Sequence, residues 1–143
     1  MNKRTKAQRS YNMSRIRSRD TSIEKILRRA LRINKLHFRC NNKAIFGKPD
    51  FIIHKKKIAI FCDSAFWHGY KFGRTKIHKF RTRKNFWEQK ILGNIKRDKL
   101  VNSKLTSGGW KVIRFWDFDL KKDVVKCADR VKDCVRRNRG IFR

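Results

Sequence analysis

Acid is the scarcest ingredient of this chain. Only 11 Asp and Glu stand against 41 Lys and Arg, a formal net charge of +30 over 143 residues. The cations run through the whole sequence rather than sitting in a tail. A compact state with that charge repels itself, and a polyanion relieves the repulsion, so nucleic acid is the expected partner. Proline is nearly missing too. Pro49 is the single one, and no Gly/Ser-rich tract is present, so no linker is visible and the length fits one domain. The cysteines Cys40, Cys62, Cys127 and Cys134 form no Cys-x-x-Cys pair, which argues against a zinc ribbon and for reduced thiols in an intracellular protein. No apolar run is long enough to span a membrane, no signal-peptide pattern occurs, and no internal repeat is seen.

The segment from Pro49 to His68 is the informative part. Phe51-Ile52-Ile53 and Ile58-Ala59-Ile60-Phe61 are short apolar runs of strand-forming residues around a basic turn, His54 to Lys57, which is a hairpin pattern. Asp50 opens the first strand and Asp63 ends the second, so both reach one edge of a sheet. Phe66, Trp67 and His68 follow. Acids beside a histidine suit metal-assisted hydrolysis, because a hard divalent cation wants oxygen ligands and a histidine can take a proton from water. Aromatics in so basic a chain suit stacking on bases. Read singly, Asp50 could equally cap a turn and His68 could be polar surface.

The remaining chain supplies a frame. Residues 1–19 are basic and weakly patterned, which fits an arm that orders along a phosphate backbone. Thr21 and Glu24 have capping-box spacing, with Asp20 a competing cap; Ile23, Ile26, Leu27, Ala30 and Leu31 then mark one helix face. Glu24 is structural by that reading, although a helix start can also border a site. Leu36, Phe38 and Cys40 alternate as a strand. Residues 69–83 form a basic loop without an acid, a candidate phosphate clamp. Residues 84–106 form a long helix with Trp87, Ile91 and Ile95 on one stripe and Asn94 and Asp98 on the next, ended by Gly108 and Gly109. Trp110 to Trp116 is a strand apolar on both faces, hence expected at the centre of the sheet. Val124, Ala128, Val131 and Val135 mark a last helix, with Cys127 and Cys134 as packing. The order helix, three strands, helix, strand, helix predicts an α/β sandwich with a mixed sheet flanked by helices.

The motifs resemble the restriction-endonuclease-like superfamily, and within it the very-short-patch (Vsr) mismatch-repair endonucleases. The matching blocks are Arg9-Ser10-x-Asn12-Met13, Arg19-Asp20-Thr21-x-Ile23-Glu24-Lys25, Gly47-x-Pro49-Asp50-Phe51, Ile60-Phe61-x-Asp63-x-x-Phe66-Trp67-His68-Gly69, Asn85-x-Trp87-x-x-Lys90-Ile91-x-x-Asn94-x-x-Arg97-Asp98 and Gly109-Trp110-x-Val112-x-x-x-Trp116. The resemblance implies a three-layer restriction-endonuclease-like domain over residues 20–143, preceded by a DNA-binding arm over 1–19. It implies Mg2+ held by Asp50, the backbone carbonyl of Cys62 and the Asp63 region, His68 as general base and Glu24 as auxiliary acid. It implies Phe66 and Trp67 as a wedge in the base stack and Met13 approaching from the minor groove. Arg9, Arg19, Lys90, Asn94 and Arg97, which lie in the matching blocks, complete the expected DNA-contacting set. The implied reaction is a nick 5′ to the thymine of a T·G mismatch in double-stranded DNA, by a monomer in the bacterial cytoplasm or nucleoid.

The chain also departs from that family. Its structural zinc ligands fall here at Ala65, near Tyr70 and Phe72, and at Phe118, none of them a zinc ligand. No structural zinc is expected, and aromatic packing takes its place. Ser64 replaces a usual glycine, and the acid-x-lysine signature of many superfamily members is absent. Two alternatives stay open: a sequence-specific restriction-type nuclease or nickase on the same fold, and a catalytically idle nucleic-acid-binding protein.

Overall fold

Thr21 Oγ1 accepts the Glu24 N–H at 3.4 Å, and Glu24 Oε2 accepts the Asp20 N–H at 2.8 Å. That reciprocal cap starts helix α2 (Ser22–Ile33), whose buried stripe is Ile23, Leu27, Ala30 and Leu31. Asp20 does not compete for the cap, because its carboxylate pairs with Arg28 two turns further on. The computed structural model describes residues 5–14, 20–70 and 83–138, with only the backbone of Met13 and Ser14. Within the basic arm, Lys6–Ser14 forms helix α1. It carries its own capping box, since Thr5 Oγ1 accepts the Gln8 N–H at 3.2 Å while Gln8 Oε1 accepts the Thr5 N–H at 2.9 Å.

The strands follow the expected hairpin. β1 is short, Arg39–Cys40, and pairs antiparallel with β2, Phe51–Ile53. A single 3₁₀ turn and a left-handed Lys57 (φ 50°) lead into β3, Ile58–Asp63, antiparallel to β2 with Phe51 opposite Ile60. Helix α3 is Lys84–Ser107, and Gly108 and Gly109 (φ 82°) end it with the Trp110 N–H donating to the Leu105 carbonyl at 2.9 Å. β4, Lys111–Trp116, then runs parallel to β3, with Phe61 opposite Arg114 and Asp63 opposite Trp116. Two helices close the described chain, α4 (Asp117–Lys122) and α5 (Val124–Arg137).

The sheet order is β1-β2-β3-β4. β4 is therefore an edge strand among the described residues, not the central one its apolar pattern suggested. Both of its faces are covered by helices, and that alone makes both faces apolar. Ile113 and Phe115 join Leu27, Leu31, Phe51, Ile60, Ala128 and Val131 under α2, α4 and α5. On the opposite face Val101 and Leu105 of α3 meet Ala59 and Phe61, with Val112 alongside. The result is three layers, helices over a mixed sheet over a helix, which is the restriction-endonuclease-like arrangement. No described helix is long and apolar enough to cross a membrane. Two consequences matter for the site. The carboxyl end of β3 carries Cys62 toward one helical layer and Asp63 toward the other, and β4 ends beside it.

Candidate active site at the end of the central hairpin

On the α2 side, Asp50 lies where β2 begins. Its Oδ2 accepts the Cys62 N–H at 2.7 Å, which ties the carboxylate to the end of β3. Glu24, buried at the start of α2, lies close enough for its charge to act on Asp50. Glu24 thus caps a helix and lines the site with one carboxyl group. Burial pushes the Asp50 carboxyl up to about 7; the Cys62 N–H opposes this, and the charges of Glu24 and Asp63 add to it. Acidic groups forced together in this way gain from a divalent cation, and Asp50 with the Cys62 carbonyl is an oxygen donor set that fits one. Burial first, then the neighbouring Asp50 carboxylate, pushes the Cys62 thiol up, so its sulfur is an inert packing group.

On the α3 side, the short loop after β3 delivers the histidine. The His68 N–H donates to the Ser64 carbonyl at 3.0 Å and the Tyr70 N–H to the Ala65 carbonyl at 2.9 Å, a single helical turn. Gly69 (φ 69°) lets this turn lie on α3, since a Cβ there would meet Ile95 at 2.6 Å. Asn94 Nδ2 donates to the Trp67 carbonyl at 2.9 Å and fixes the same turn from the helix. His68 Nδ1 then lies 2.6 Å from Asp98 Oδ2, and Nε2 lies 3.7 Å from Asp63 Oδ1. The carboxylate holds the proton on Nδ1 and leaves Nε2 as the accepting nitrogen. Burial lowers the imidazole, but the Asp98 hydrogen bond and the charges of Asp63 and Asp98 outweigh it, so His68 sits above its ordinary value. The donor atoms of Asp63, His68 and Asp98 lie within 4.8 Å of one another. A guanidinium already sits against both carboxylates: Arg114 Nη1 is 2.9 Å from Asp63 Oδ2 and 3.6 Å from Asp98 Oδ1.

Beside this cluster stands an aromatic group. Phe66, 43% exposed, meets Trp67 edge to face at 4.8 Å, and Trp67 meets Trp87 of α3 at 5.4 Å. Phe86, 53% exposed, packs on Trp87 at 5.2 Å. Lys90 Nζ lies over the Trp67 ring at 5.1 Å. A cation and a partly exposed aromatic surface together suit a nucleobase stack next to a phosphate. On the other side of the turn, Tyr70 packs on Trp116 at 5.0 Å and on Phe118 at 4.7 Å, at two of the positions where aromatic packing was expected.

The expected residues therefore divide in two around the end of β3. Asp50, Cys62 and Glu24 meet on one side; Asp63 and His68 meet on the other. Phe66, Trp67, Lys90 and Asn94 form one group, while Arg97 and Arg9 are exposed. The Met13 side chain, Arg19, Phe72 and most of the basic loop lie outside the described residues. Sequence reading missed three functional neighbours. Asp98 was visible on the Asn94 stripe, four residues on. Arg114 was signalled by a charge inside an otherwise apolar strand. Trp87 was read as helix packing, and its contact with Trp67 depends on tertiary structure alone.

The family model described as DNA mismatch endonuclease Vsr matches residues 1–74. The type II nicking enzyme V.NmeDIP of Neisseria meningitidis serogroup C is 38% identical over 141 residues, covering 99% of this chain and 95% of that protein. V.HpaIIP of Haemophilus parainfluenzae, also a type II nicking enzyme, is 37% identical over 136 residues, covering 94% and 96%. The DNA mismatch endonuclease Vsr of Escherichia coli (strain K12) is 38% identical over 116 residues, covering 81% of this chain and 73% of that protein. With these matches and a restriction-endonuclease-like fold that sets Asp63 at the end of β3 beside a carboxylate-oriented histidine, this chain belongs to the Vsr family of DNA endonucleases.

Proposed function

We propose that this protein nicks one strand of double-stranded DNA 5′ to the thymine of a T·G mismatch, with Mg2+, and so opens the site to short-patch repair. The observation that carries the reading is the joining of Trp67 to His68 in one turn. The aromatic pair that would enter the base stack is one residue from the proposed general base, and Asn94 holds both on α3. A mismatched pair costs less to unstack than a paired one, so a wedge can read it through deformability.

The residues divide the labour. Asp50 and the Cys62 carbonyl would hold the cation, with Glu24 behind Asp50 and the Asp63 charge nearby. When bound, the metal supplies positive charge at the scissile phosphate. His68 Nε2 takes a proton from the attacking water, and Asp98 holds the ring in the tautomer that permits it. Phe66, Trp67 and Lys90 position the strand. Arg9, Arg19, Arg97 and the basic loop add phosphate contacts, and the Met13 side chain approaches from the minor groove. One active site suffices for one nick, so the protein acts as a monomer in the bacterial cytoplasm, with residues 1–19 as its arm and 20–143 as its catalytic domain.

The test is cleavage of a T·G heteroduplex and its matched duplex, each with Mg2+ or with EDTA. Nicking of the heteroduplex alone, dependent on Mg2+ and lost in Asp50→Ala, is the expected result. Equal nicking of both duplexes would make it a sequence-specific nickase on the same fold. No nicking of either would leave a DNA-binding protein.

A further inference from the structure

We infer that Arg114 is a positioning residue for the proposed base, a clamp that keeps Asp63 off His68 Nε2 while it aligns Asp98 on Nδ1. The inference rests on the nicking reading above and adds a residue to it. Arg114 enters from β4, opposite Phe61 in the ladder, and its guanidinium lies over the Phe61 ring at 4.1 Å. Its Nε donates to Asn102 Oδ1 of α3 at 2.8 Å, so the planar group is fixed from the helix as well as from the sheet. Its Nη1 donates to both oxygens of Asp63, at 3.2 and 2.9 Å.

Consider what those contacts leave for His68. The imidazole stands between two carboxylates. Asp98 gives it Oδ2 at 2.6 Å while its Oδ1 faces Arg114 at 3.6 Å, so one oxygen orients the ring and the other anchors the orienter. Asp63 is drawn the other way. Arg114 holds its Oδ1 at 3.7 Å from Nε2, too far for a hydrogen bond. Without the guanidinium, nothing among the described contacts keeps Asp63 from closing that gap. A carboxylate closed on Nε2 would stand where an attacking water must be reached, and would favour a proton on the nitrogen that has to accept one. Arginine suits the task because its fixed fork meets two acids and an amide at once, which an ammonium on a flexible stem cannot do.

The experiment compares wild type, Arg114→Met, Arg114→Lys, Asn102→Leu and the double variant Arg114→Met with Asp63→Ala. Single-turnover nicking and DNA affinity without Mg2+ are measured on whichever duplex wild type cuts. Arg114→Met is expected to lower the nicking rate by about 100-fold, the scale seen when an orienting partner is removed, with affinity within about 2-fold of wild type. Arg114→Lys recovers part of the rate. Asn102→Leu, which keeps Arg114 but frees it, gives an intermediate loss and covers the case in which Arg114→Met does not fold. The double variant is faster than Arg114→Met, because no side chain at position 63 is left to close on Nε2. Three outcomes overturn the clamp: weakened DNA affinity with an unchanged nicking rate, which would make Arg114 a phosphate contact; a double variant no faster than Arg114→Met; or full activity in both Arg114→Met and Asn102→Leu. A wild type that nicks no duplex fails the proposed function instead, before any variant is compared.

Discussion

His68 Nδ1 and Asp98 Oδ2 are 2.6 Å apart, although one residue comes from the loop after β3 and the other from the middle of α3, 30 positions later. The short distance marks a charge-assisted hydrogen bond, which sets tautomer and ring orientation together.

Removing that carboxylate should affect rate and pH dependence separately. Asp98→Asn is expected to slow nicking by about 10- to 100-fold and to leave DNA affinity unchanged. His68 is raised above its ordinary value, with burial opposing and Asp98 and Asp63 prevailing. A base must be unprotonated, so the wild-type rate should climb with pH through a value above the ordinary 6.5. Asn at 98 removes a raising influence, so that limb should move to lower pH even as the maximum falls. A limb that stays in place would show that another group titrates.

Asp50 links catalysis to stability. Its folded value, about 7, lies above the ordinary 3.8 of an aspartate. The folded state therefore binds that proton more tightly. The resulting stabilisation is complete below the lower value and is lost as pH rises toward the higher one. At pH 8 the ionised carboxylate is a burden on the fold. Asp50→Asn keeps an acceptor for the Cys62 N–H and removes the charge. It should melt higher than wild type at pH 8, by about 3 °C for each kcal/mol recovered, while nicking is abolished. Mg2+ should raise the midpoint of wild type and not of the variant. A lower midpoint for Asp50→Asn at pH 8 contradicts the argument.

How far the sequence disclosed this arrangement depends on what kind of contact built each part. The hairpin and α2 were legible because their signals are local: short apolar runs of strand formers in Phe51–Ile53 and Ile58–Asp63 around a basic turn, and a capping box at Thr21. The place of β4 was not legible. Burial on two faces and a central position in the ladder leave the same apolar pattern, and only the observed order β1-β2-β3-β4 separates them. Helix α4 was missed because six residues offer less than two turns of periodicity. In α1 the Thr5–Gln8 box was available and was obscured by the run of cations. At the site, Asp50, Asp63 and His68 stood out by residue type. Asp98 and Arg114 gain meaning only when α3 and β4 converge on β3.

Trp67 leans on Trp87 and lies under Lys90, so it is backed on the protein side and can present a face outward. Stacking on a base contributes about 1–3 kcal/mol by truncation. Trp67→Ala should weaken binding to a T·G heteroduplex by roughly 10- to 100-fold and binding to the matched duplex much less, as read by titration at fixed salt. Trp87→Ala should produce a smaller loss of the same kind, since it removes the support and not the contact. Equal losses on both duplexes would show that Trp67 serves general affinity.

The last prediction concerns the zinc that the family resemblance associates with this segment. In this chain Tyr70 sits between Trp116 and Phe118, with ring centroids at 5.0 and 4.7 Å, and Trp116 and Phe118 lie nearly parallel at 6.3 Å. Asp117 Oδ1 ties the group to the turn by accepting the Ala65 N–H at 3.3 Å and the Phe118 N–H at 2.8 Å. Aromatic pairs of this geometry add about 0.5–1.5 kcal/mol each beyond the area they bury, enough to hold the turn that carries His68. The purified protein should contain no zinc by elemental analysis, and in Mg2+-free buffer EDTA should leave its unfolding midpoint unchanged. Phe118→Ala should lower that midpoint and slow nicking together, because the turn loosens under His68. Phe118→Tyr, which keeps the ring, should do neither. One equivalent of bound zinc would contradict the packing account.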